Sequence, residues 1–209
     1  MSLDVEVVPD PRGKRALDVG LASIALVVTA PLWVLAVIAA RAQGRGPVFY
    51  RQQRWGRAGA PFTVRKFRTM TPSLGPIEPA SVADPRVTPI GAVLRRSGLD
   101  ELPQLLAILK GEMSFVGPRP LAIDEVVRDP GGTVTRYEVI PGFVERLAVR
   151  PGLTGPTTIY LPKDAPPAEK FARDLEYIQS CTFWGDVKLI LLSIWISLRG
   201  RWEDRAPKL

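Results

Sequence analysis

The chain has 209 residues, with 28 Lys and Arg against 21 Asp and Glu, which gives a net charge of +7. This length suits one domain, and the basic composition favours phosphate-bearing partners, although an ordinary solvated basic surface has the same composition. Histidine is absent and Cys181 is the single cysteine, which excludes histidine-based catalysis, histidine metal sites and an internal disulfide.

The first predicted element is a long apolar segment. It follows a polar lead over residues 1–13, which we expect to be flexible, and no charged residue occurs from Val19 to Ala40. This run of about 22 residues matches the ~20 needed to cross a bilayer and exceeds the ~7–15 of a secretory signal core. Pro31 predicts a kink near the middle, and basic residues flank both ends. A spanning helix and a re-entrant helix over residues 14–42 are both compatible with this pattern, and the kink and flanking charges favour the re-entrant form.

The next segments predict a small β-hairpin and two short helices. Val48–Tyr50 and Phe62–Val64 flank a turn that contains Gly and Arg, which is typical of a hairpin. A short basic helix is expected around Val93–Arg96. Four leucines at i, i+3, i+4 and i+7 from Leu102 onward predict one apolar helical face, which Gly111 ends.

The C-terminal third carries two helical patterns, over residues 167–180 and 184–199. The uncharged stretch from Leu189 to Leu198 is too short to span a bilayer. With tryptophans nearby, it either lies in the membrane interface or forms an ordinary core helix. The predicted fold is therefore α+β and mainly helical, with a membrane helix over 14–42 and a domain over 43–209. In the first of these two interpretations, the domain ends in interfacial amphipathic helices.

Two adjacent carboxylates, Asp100 and Glu101, come shortly before Pro103. Because proline is tolerated at the start of a helix, we expect the helix to begin near Leu99–Leu102, with both carboxylates at the N-cap or in the first turn. Adjacent helical positions point about 100° apart, so one carboxylate can attack while the other holds a metal. For an isolated pair, simple helix capping is the commoner explanation.

Several cations could serve the same site. Arg86 lies in a turn bounded by prolines, and Arg119 is fixed between Pro118 and Pro120. Each cation alone is typical of a solvated surface, but together with the acidic pair they supply the parts of a phosphoryl-transfer site. Glycine-rich loops for ATP or dinucleotides are absent, and the aromatic residues do not interleave with basic ones, which disfavours nucleic acid as a partner.

Seven motifs follow one another along the chain after residue 13. They are Lys14-Arg15-x-x-Asp18, Gly46-Pro47-Val48-Phe49-x-x-Gln52-x-Arg54-x-Gly56, Lys66-Phe67-Arg68-Thr69-Met70, Asp84-Pro85-Arg86-Val87-Thr88, Leu99-Asp100-Glu101-Leu102-Pro103-Gln104, Gly111-x-Met113-Ser114-x-Val116-Gly117-Pro118-Arg119-Pro120 and Arg150-Pro151-Gly152-Leu153-Thr154-Gly155. In this order they resemble the bacterial sugar transferases known as monotopic polyprenol-phosphate phosphoglycosyl transferases, in their minimal catalytic form. Asp174-x-x-Tyr177 also resembles a feature of the family, with either a structural or a substrate-binding role.

The resemblance implies a two-step reaction. Asp100 would attack the β-phosphate of a UDP-sugar, which releases UMP and leaves a sugar phosphate on the aspartate. A polyprenol phosphate, undecaprenyl phosphate above all, would then accept the sugar phosphate. Glu101 would bind Mg²⁺. The residues expected to bind phosphate or substrate are Lys66, Arg95, Arg119, Arg86 and Arg150.

The resemblance also implies a location. The re-entrant helix would hold a catalytic domain on the cytoplasmic face of the bacterial plasma membrane, partly embedded in the phospholipid bilayer, and a homo-oligomer is compatible with this interpretation. Two alternatives remain: a membrane-anchored phosphohydrolase that uses the same site, and a non-catalytic basic adaptor that binds anionic lipid or nucleic acid.

Overall fold

Helices dominate the computed structural model, which describes residues 4–42, 44, 46–71, 84–123, 125–128, 134–162 and 165–199. Within these ranges the eight α-helices are α1 (Lys14–Val28), α2 (Ala30–Ala42), α3 (Pro89–Ser97), α4 (Gln104–Lys110), α5 (Phe143–Arg146), α6 (Pro156–Tyr160), α7 (Pro167–Ser180) and α8 (Phe183–Leu198). The strands are β1 (Phe49–Trp55), β2 (Pro61–Phe67), β3 (Ser114–Val116), β4 (Val126–Arg128), β5 (Val134–Arg136) and β6 (Gly152–Thr154). They pair as β1–β2, β3–β6 and β4–β5, so the predicted α+β, mainly helical class is confirmed.

The apolar N-terminal segment is broken into two helices. α1 ends at Val28 and α2 begins at Ala30, with a bend of 64° between them. Pro31 lies in the first turn of α2, where its missing N–H is not needed, whereas its ring would clash within a continuous helix. The predicted kink near Pro31 is therefore confirmed. Among the described residues no single helix has the length and apolar composition to cross a bilayer, but α1 and α2 together have those of a broken or re-entrant span.

The predicted hairpin is present, with longer strands than expected. β1 and β2 are antiparallel, in a register that runs from Phe49 opposite Phe67 to Trp55 opposite Pro61. The inner face of β2 packs against α4 and α1 in one hydrophobic cluster, whose buried members include Phe62, Val64, Leu105, Ile108 and Ala22. The apolar face predicted from Leu102 onward is confirmed in part. Leu105 is buried, and Leu102 and Leu109 pack against the cluster, but Ala107 and Ile108 complete the buried face of α4. Gly111 ends the helix in the left-handed conformation.

The carboxylate pair lies in a helical turn that begins at Leu99, as predicted, but this turn is separate from α4, so the expectation of one continuous helix is wrong. Leu99–Glu101 form a separate 3₁₀ turn, and α4 begins only at Gln104. Pro103 has no N–H to bond the carbonyl of Leu99, and that carbonyl instead accepts from the N–H of Leu102 at 3.3 Å. The proline therefore separates the two helical segments.

The parallel strands β3 and β6 pack closely against each other at glycine residues. A Cβ on Gly152 would lie 2.2 Å from the backbone nitrogen of Gly117, and a Cβ on Gly155 would lie 2.3 Å from the carbonyl oxygen of Gly117. The two segments approach this closely because neither side carries a side chain there. The loop from Gly117 to Pro120 consequently lies directly against β6.

The two C-terminal helices agree with the predicted ranges. α8 buries Leu189, Ile190 and Ile196 in the core, while Trp184 is 76% exposed and Leu198 is 83% exposed. The helix thus has one core face, as one of the two sequence-based interpretations expects, and one exposed apolar face. The interfacial interpretation of the exposed face stays a prediction.

Candidate active site

Lys66 and Glu101 form the centre of the candidate site. The Nζ of Lys66, near the end of β2, donates to Oε1 of Glu101 in the 3₁₀ turn, and the two side chains are 18% and 12% exposed. Burial acts to raise the pKa of Glu101, but the charges of Lys66 and Arg119 outweigh it and lower that pKa to about 2. Burial lowers the pKa of Lys66, against the opposing effect of Glu101. Glu101 is therefore ionised at neutral pH.

Asp100 lies beside this pair and is itself buried. Its negative charge acts on Lys66, and so does the positive charge of Arg119. The structure thus brings together four of the residues that the sequence singled out: Asp100, Glu101, Lys66 and Arg119.

The loop that carries Arg119 is fixed through its backbone. The carbonyl of Arg119 accepts from Nη2 of Arg146 at 3.0 Å, and the carbonyl of Pro120 accepts from Nη1 of Arg54. The N–H of Gly152 donates to the carbonyl of Pro118 at 2.9 Å. Arg119 therefore projects from a backbone that is held on both sides of it.

Arg54 is a member of the site to which the sequence analysis gave no role. Its Nη2 donates to Oε1 of Gln52 at 2.8 Å, and burial together with the charge of Arg119 lowers its pKa. Arg54 stands opposite Phe62, a buried residue, in the hairpin register. A cation on the inward face of a hairpin, facing a core residue, is the signal that could have identified it.

Two predicted site residues lie around Asp84. Nη2 of Arg86 donates to Oδ2 of Asp84 at 2.6 Å, and these hydrogen bonds lower the pKa of Asp84 to about 2. The charge of Arg95 also acts on Asp84, and Nη1 of Arg95 lies 3.5 Å from the sulfur of Met70.

Arg150 contacts the polar N-terminal segment, residues 1–13, through Asp10. Its Nη2 donates to Oδ2 of Asp10, and Nη1 of Arg57 lies 3.8 Å from the same oxygen. The N–H of Val8 donates to the carbonyl of Ala148 at 3.0 Å. The described part of the lead, which we expected to be flexible, is thus bonded to the domain at both positions.

Asp174 and Tyr177 are engaged in buried contacts with the protein. Asp174 accepts from Nε of Arg146 at 2.7 Å and from the hydroxyl of Thr157. The hydroxyl of Tyr177 donates to Oδ1 of Asp186 at 2.7 Å. These contacts correspond to the structural alternative among the two roles considered for the pair.

Glu101 and Asp100 are the carboxylates that could hold a magnesium ion at this site. Among the described residues no group of three or more His, Cys, Asp and Glu side chains forms a metal cluster. Glu101 offers one ionised carboxylate with Asp100 next to it, and Mg²⁺ commonly binds one or two carboxylates together with substrate phosphates and water. The positive charges of Lys66, Arg119 and Arg54 all act on Glu101. These three charges exceed the two of the carboxylates, which leaves positive charge for a phosphate.

Comparison with known proteins places the chain among bacterial enzymes. The sequence profile described as bacterial sugar transferase matches residues 10–200. The chain is 40% identical over 187 residues to the UDP-glucose:undecaprenyl-phosphate glucose-1-phosphate transferase of Caulobacter vibrioides, a match that covers 87% of this chain and 68% of that protein. It is 37% identical over 190 residues to the protein of the same name from Escherichia coli, covering 87% of this chain but only 39% of that protein. It is also 37% identical over 198 residues to the exopolysaccharide production protein ExoY of Rhizobium meliloti, covering 87% of this chain and 83% of that protein. The chain belongs to the bacterial sugar transferase family.

Proposed function

We propose that this protein transfers a sugar-1-phosphate from a UDP-sugar to undecaprenyl phosphate, releasing UMP and forming a polyprenol-diphosphate sugar. The observation that carries the proposal is the cluster of Lys66, Glu101 and Arg119 around the buried Asp100. It occurs in a chain whose relatives are named for UDP-glucose and undecaprenyl phosphate. UDP-glucose is accordingly the first sugar donor to test, and exopolysaccharide assembly is the process that the relatives' names suggest.

The proposed chemistry has two displacements at one phosphorus. In the first, an oxygen of Asp100 bonds to the sugar-linked phosphorus while the bond to the bridging oxygen breaks, and UMP leaves with the electron pair. In the second, a phosphate oxygen of undecaprenyl phosphate bonds to the same phosphorus and the Asp100 carboxylate leaves. Asp100 returns to its initial state, which makes the cycle catalytic.

The neighbours of Asp100 have supporting roles in this scheme. Lys66 and Arg119 stabilise negative charge on the diphosphate. Glu101, kept ionised by its low pKa, would hold Mg²⁺, which supplies further charge neutralisation when bound. The remaining proposed substrate-binding residues are Arg86, Arg95 and Arg150.

The geometry of the N-terminal helices supports a monotopic location. α1 has 15 residues and α2 has 13, so at 1.5 Å per residue they are about 22 and about 20 Å long, each shorter than the ~30 Å hydrocarbon core. Large apolar side chains remain exposed along both helices, among them Val27, Leu35 and Ile38. We therefore propose that residues 14–42 enter and leave the same leaflet, with the domain over 43–209 on the cytoplasmic face of the plasma membrane and the exposed side of α8 at the interface.

The test is a reconstitution with defined substrates. Detergent-solubilised protein is mixed with UDP-glucose, undecaprenyl phosphate and Mg²⁺, and UMP and the lipid product are quantified. We expect equal amounts of both products and no turnover after chelation of the metal. Sustained release of sugar phosphate without undecaprenyl phosphate would indicate the phosphohydrolase instead. Absence of any product with a panel of UDP-sugars would favour the non-catalytic adaptor.

A further inference from the structure

Side chains of α1 bond the backbone of β3, the strand that leads into the Arg119 loop. Oδ1 of Asp18 accepts from the N–H of Phe115 at 2.9 Å and from the hydroxyl of Ser114 at 3.0 Å. Nζ of Lys14 donates to the carbonyl of Val116 at 2.9 Å. The start of the apolar segment is therefore attached to all three residues of β3.

These contacts are buried, and the charge of Lys14 is paired. Asp18 is 1% exposed and Lys14 is 5% exposed. Lys14 forms an ion pair of 2.5 Å with Asp186 at the start of α8, and Tyr177 bonds the other oxygen of that carboxylate. Because an unpaired polar group at such a position is costly, these side chains have little freedom to leave β3.

The position of β3 determines the position of Arg119, because the segment that connects them is short and tightly packed. Only Gly117 and Pro118 separate Val116 from Arg119. A Cβ on Gly117 would lie 2.3 Å from the carbonyl oxygen of Arg150, which shows how closely this connection is packed. A shift of β3 relative to β6 would therefore move the backbone of Arg119.

We propose that Asp18 and Lys14 are positioning residues that hold β3 and thereby place Arg119 next to the Asp100–Glu101 pair. Through these contacts, the position of the membrane helices affects phosphate binding. This inference rests on the proposed function, which assigns Arg119 to the phosphate. Asp18 and Lys14 act through β3 and touch no reacting atom.

Asp18 is the better residue to test, because removing Lys14 would leave Asp186 buried without its cation. Asp18→Ala removes both hydrogen bonds to β3. Asp18→Asn keeps the accepting oxygen, and the other oxygen, Oδ2, has no hydrogen-bond partner among the described residues. Arg15→Met is the matched control: Arg15 is also on α1 but bonds the carbonyls of Ile108 and Leu109 at 2.6 and 2.7 Å. It therefore fastens α1 to α4 without touching β3.

The experiment uses the full chain in lipid nanodiscs and two readouts. Initial rates of UMP release give KM for UDP-glucose and kcat, and hydrogen exchange followed by mass spectrometry reports on the Ser114–Gly117 amides. We expect Asp18→Ala to raise KM on the order of tenfold, equivalent to about 1.4 kcal/mol, and to speed exchange in β3. Asp18→Asn and Arg15→Met should keep KM and β3 exchange near the wild-type values.

Two results overturn the proposal. One is a folded, membrane-bound Asp18→Ala protein with unchanged KM or unchanged exchange in β3. The other is a loss of kcat in proportion to the unfolded fraction at constant KM, which indicates a purely structural role. If the wild type releases no UMP, the proposed function fails on its own, and hydrogen exchange alone still decides whether Asp18 holds β3.

Discussion

The ionisation of Glu101 is decided by its neighbours and not by its burial. Burial alone would raise the pKa of this carboxyl, but Lys66 and Arg119 lower it to about 2. Since this pKa is depressed in the folded protein, the associated stability is present above the unfolded value of about 4.3 and is lost as pH falls toward about 2. The same cations that would bind phosphate thus keep the proposed metal ligand charged.

Replacing Lys66 should shift the acid limb of the pH–activity profile. In Lys66→Gln the burial of Glu101 is opposed by fewer charges, so its pKa rises and activity is lost at a higher pH than in the wild type. The measurement is kcat/KM for UDP-glucose as a function of pH, normalised to each variant's maximum. Lys110→Gln, which removes an exposed cation at the end of α4, serves as the control. An acid limb that stays in place in Lys66→Gln would show that Lys66 does not set the pKa of Glu101.

Among the secondary-structure elements, α5 and α7 are joined by a buried ion pair that also supports the Arg119 loop. Arg146 and Asp174 are 2.7 Å apart, with side chains 4% and 0% exposed. Arg146 lies 4.2 Å from the ring centre of Phe171 and bonds the carbonyl of Arg119. Loss of Asp174 would therefore affect both the packing of α7 and the loop.

Asp174→Ala should be strongly destabilising. Breaking a buried ion pair by removing one partner costs roughly 3–5 kcal/mol, because the remaining charge is left uncompensated. Glu176→Ala is the matched control on the same helix: it breaks an exposed ion pair with Arg173, worth about 0–1 kcal/mol. Thermal unfolding followed by circular dichroism compares the two. Equal melting temperatures for both variants would contradict the assigned role of Asp174.

Local patterns predicted the elements, and distant contacts determined the site. The hairpin, the apolar face of α4, the break near Pro31 and the ranges of α7 and α8 follow from periodicity and proline chemistry within short windows. By contrast, Lys14 and Asp186 are 172 residues apart in the chain, and Arg150 and Asp10 are 140 apart. No local window contains such pairs, so the contacts of Arg150 and the three-residue strands became visible only in the structure.

For the molecule as a whole, the proposed re-entrant arrangement depends on the bend between α1 and α2. A continuous helix over residues 14–42 would be about 43 Å long, ample to cross the ~30 Å core. The break near Pro31 divides this length into two arms that are each too short to cross. Under the proposed membrane location, the side that residue 1 reaches therefore depends on the bend.

Straightening the bend should move the N-terminus. We expect a protease-cleavable N-terminal tag to be cut only from the cytoplasmic side in the wild type, and in Pro31→Leu a fraction of the tags to become accessible from the periplasm. Leu32→Ala, which keeps the proline, should behave as the wild type. Periplasmic cleavage of the wild-type tag would contradict the re-entrant arrangement.

The proposed mechanism requires a sugar phosphate on Asp100, which can be observed directly. The wild-type protein is incubated with UDP-glucose and Mg²⁺ without undecaprenyl phosphate, and the intact mass and peptide masses are measured. We predict one hexose phosphate per chain on the peptide that contains Asp100, one equivalent of UMP, and discharge of the adduct when undecaprenyl phosphate is added. Asp100→Asn should be folded but form no adduct. An adduct on another residue, or turnover retained by Asp100→Asn, would contradict the assignment of Asp100 as the nucleophile.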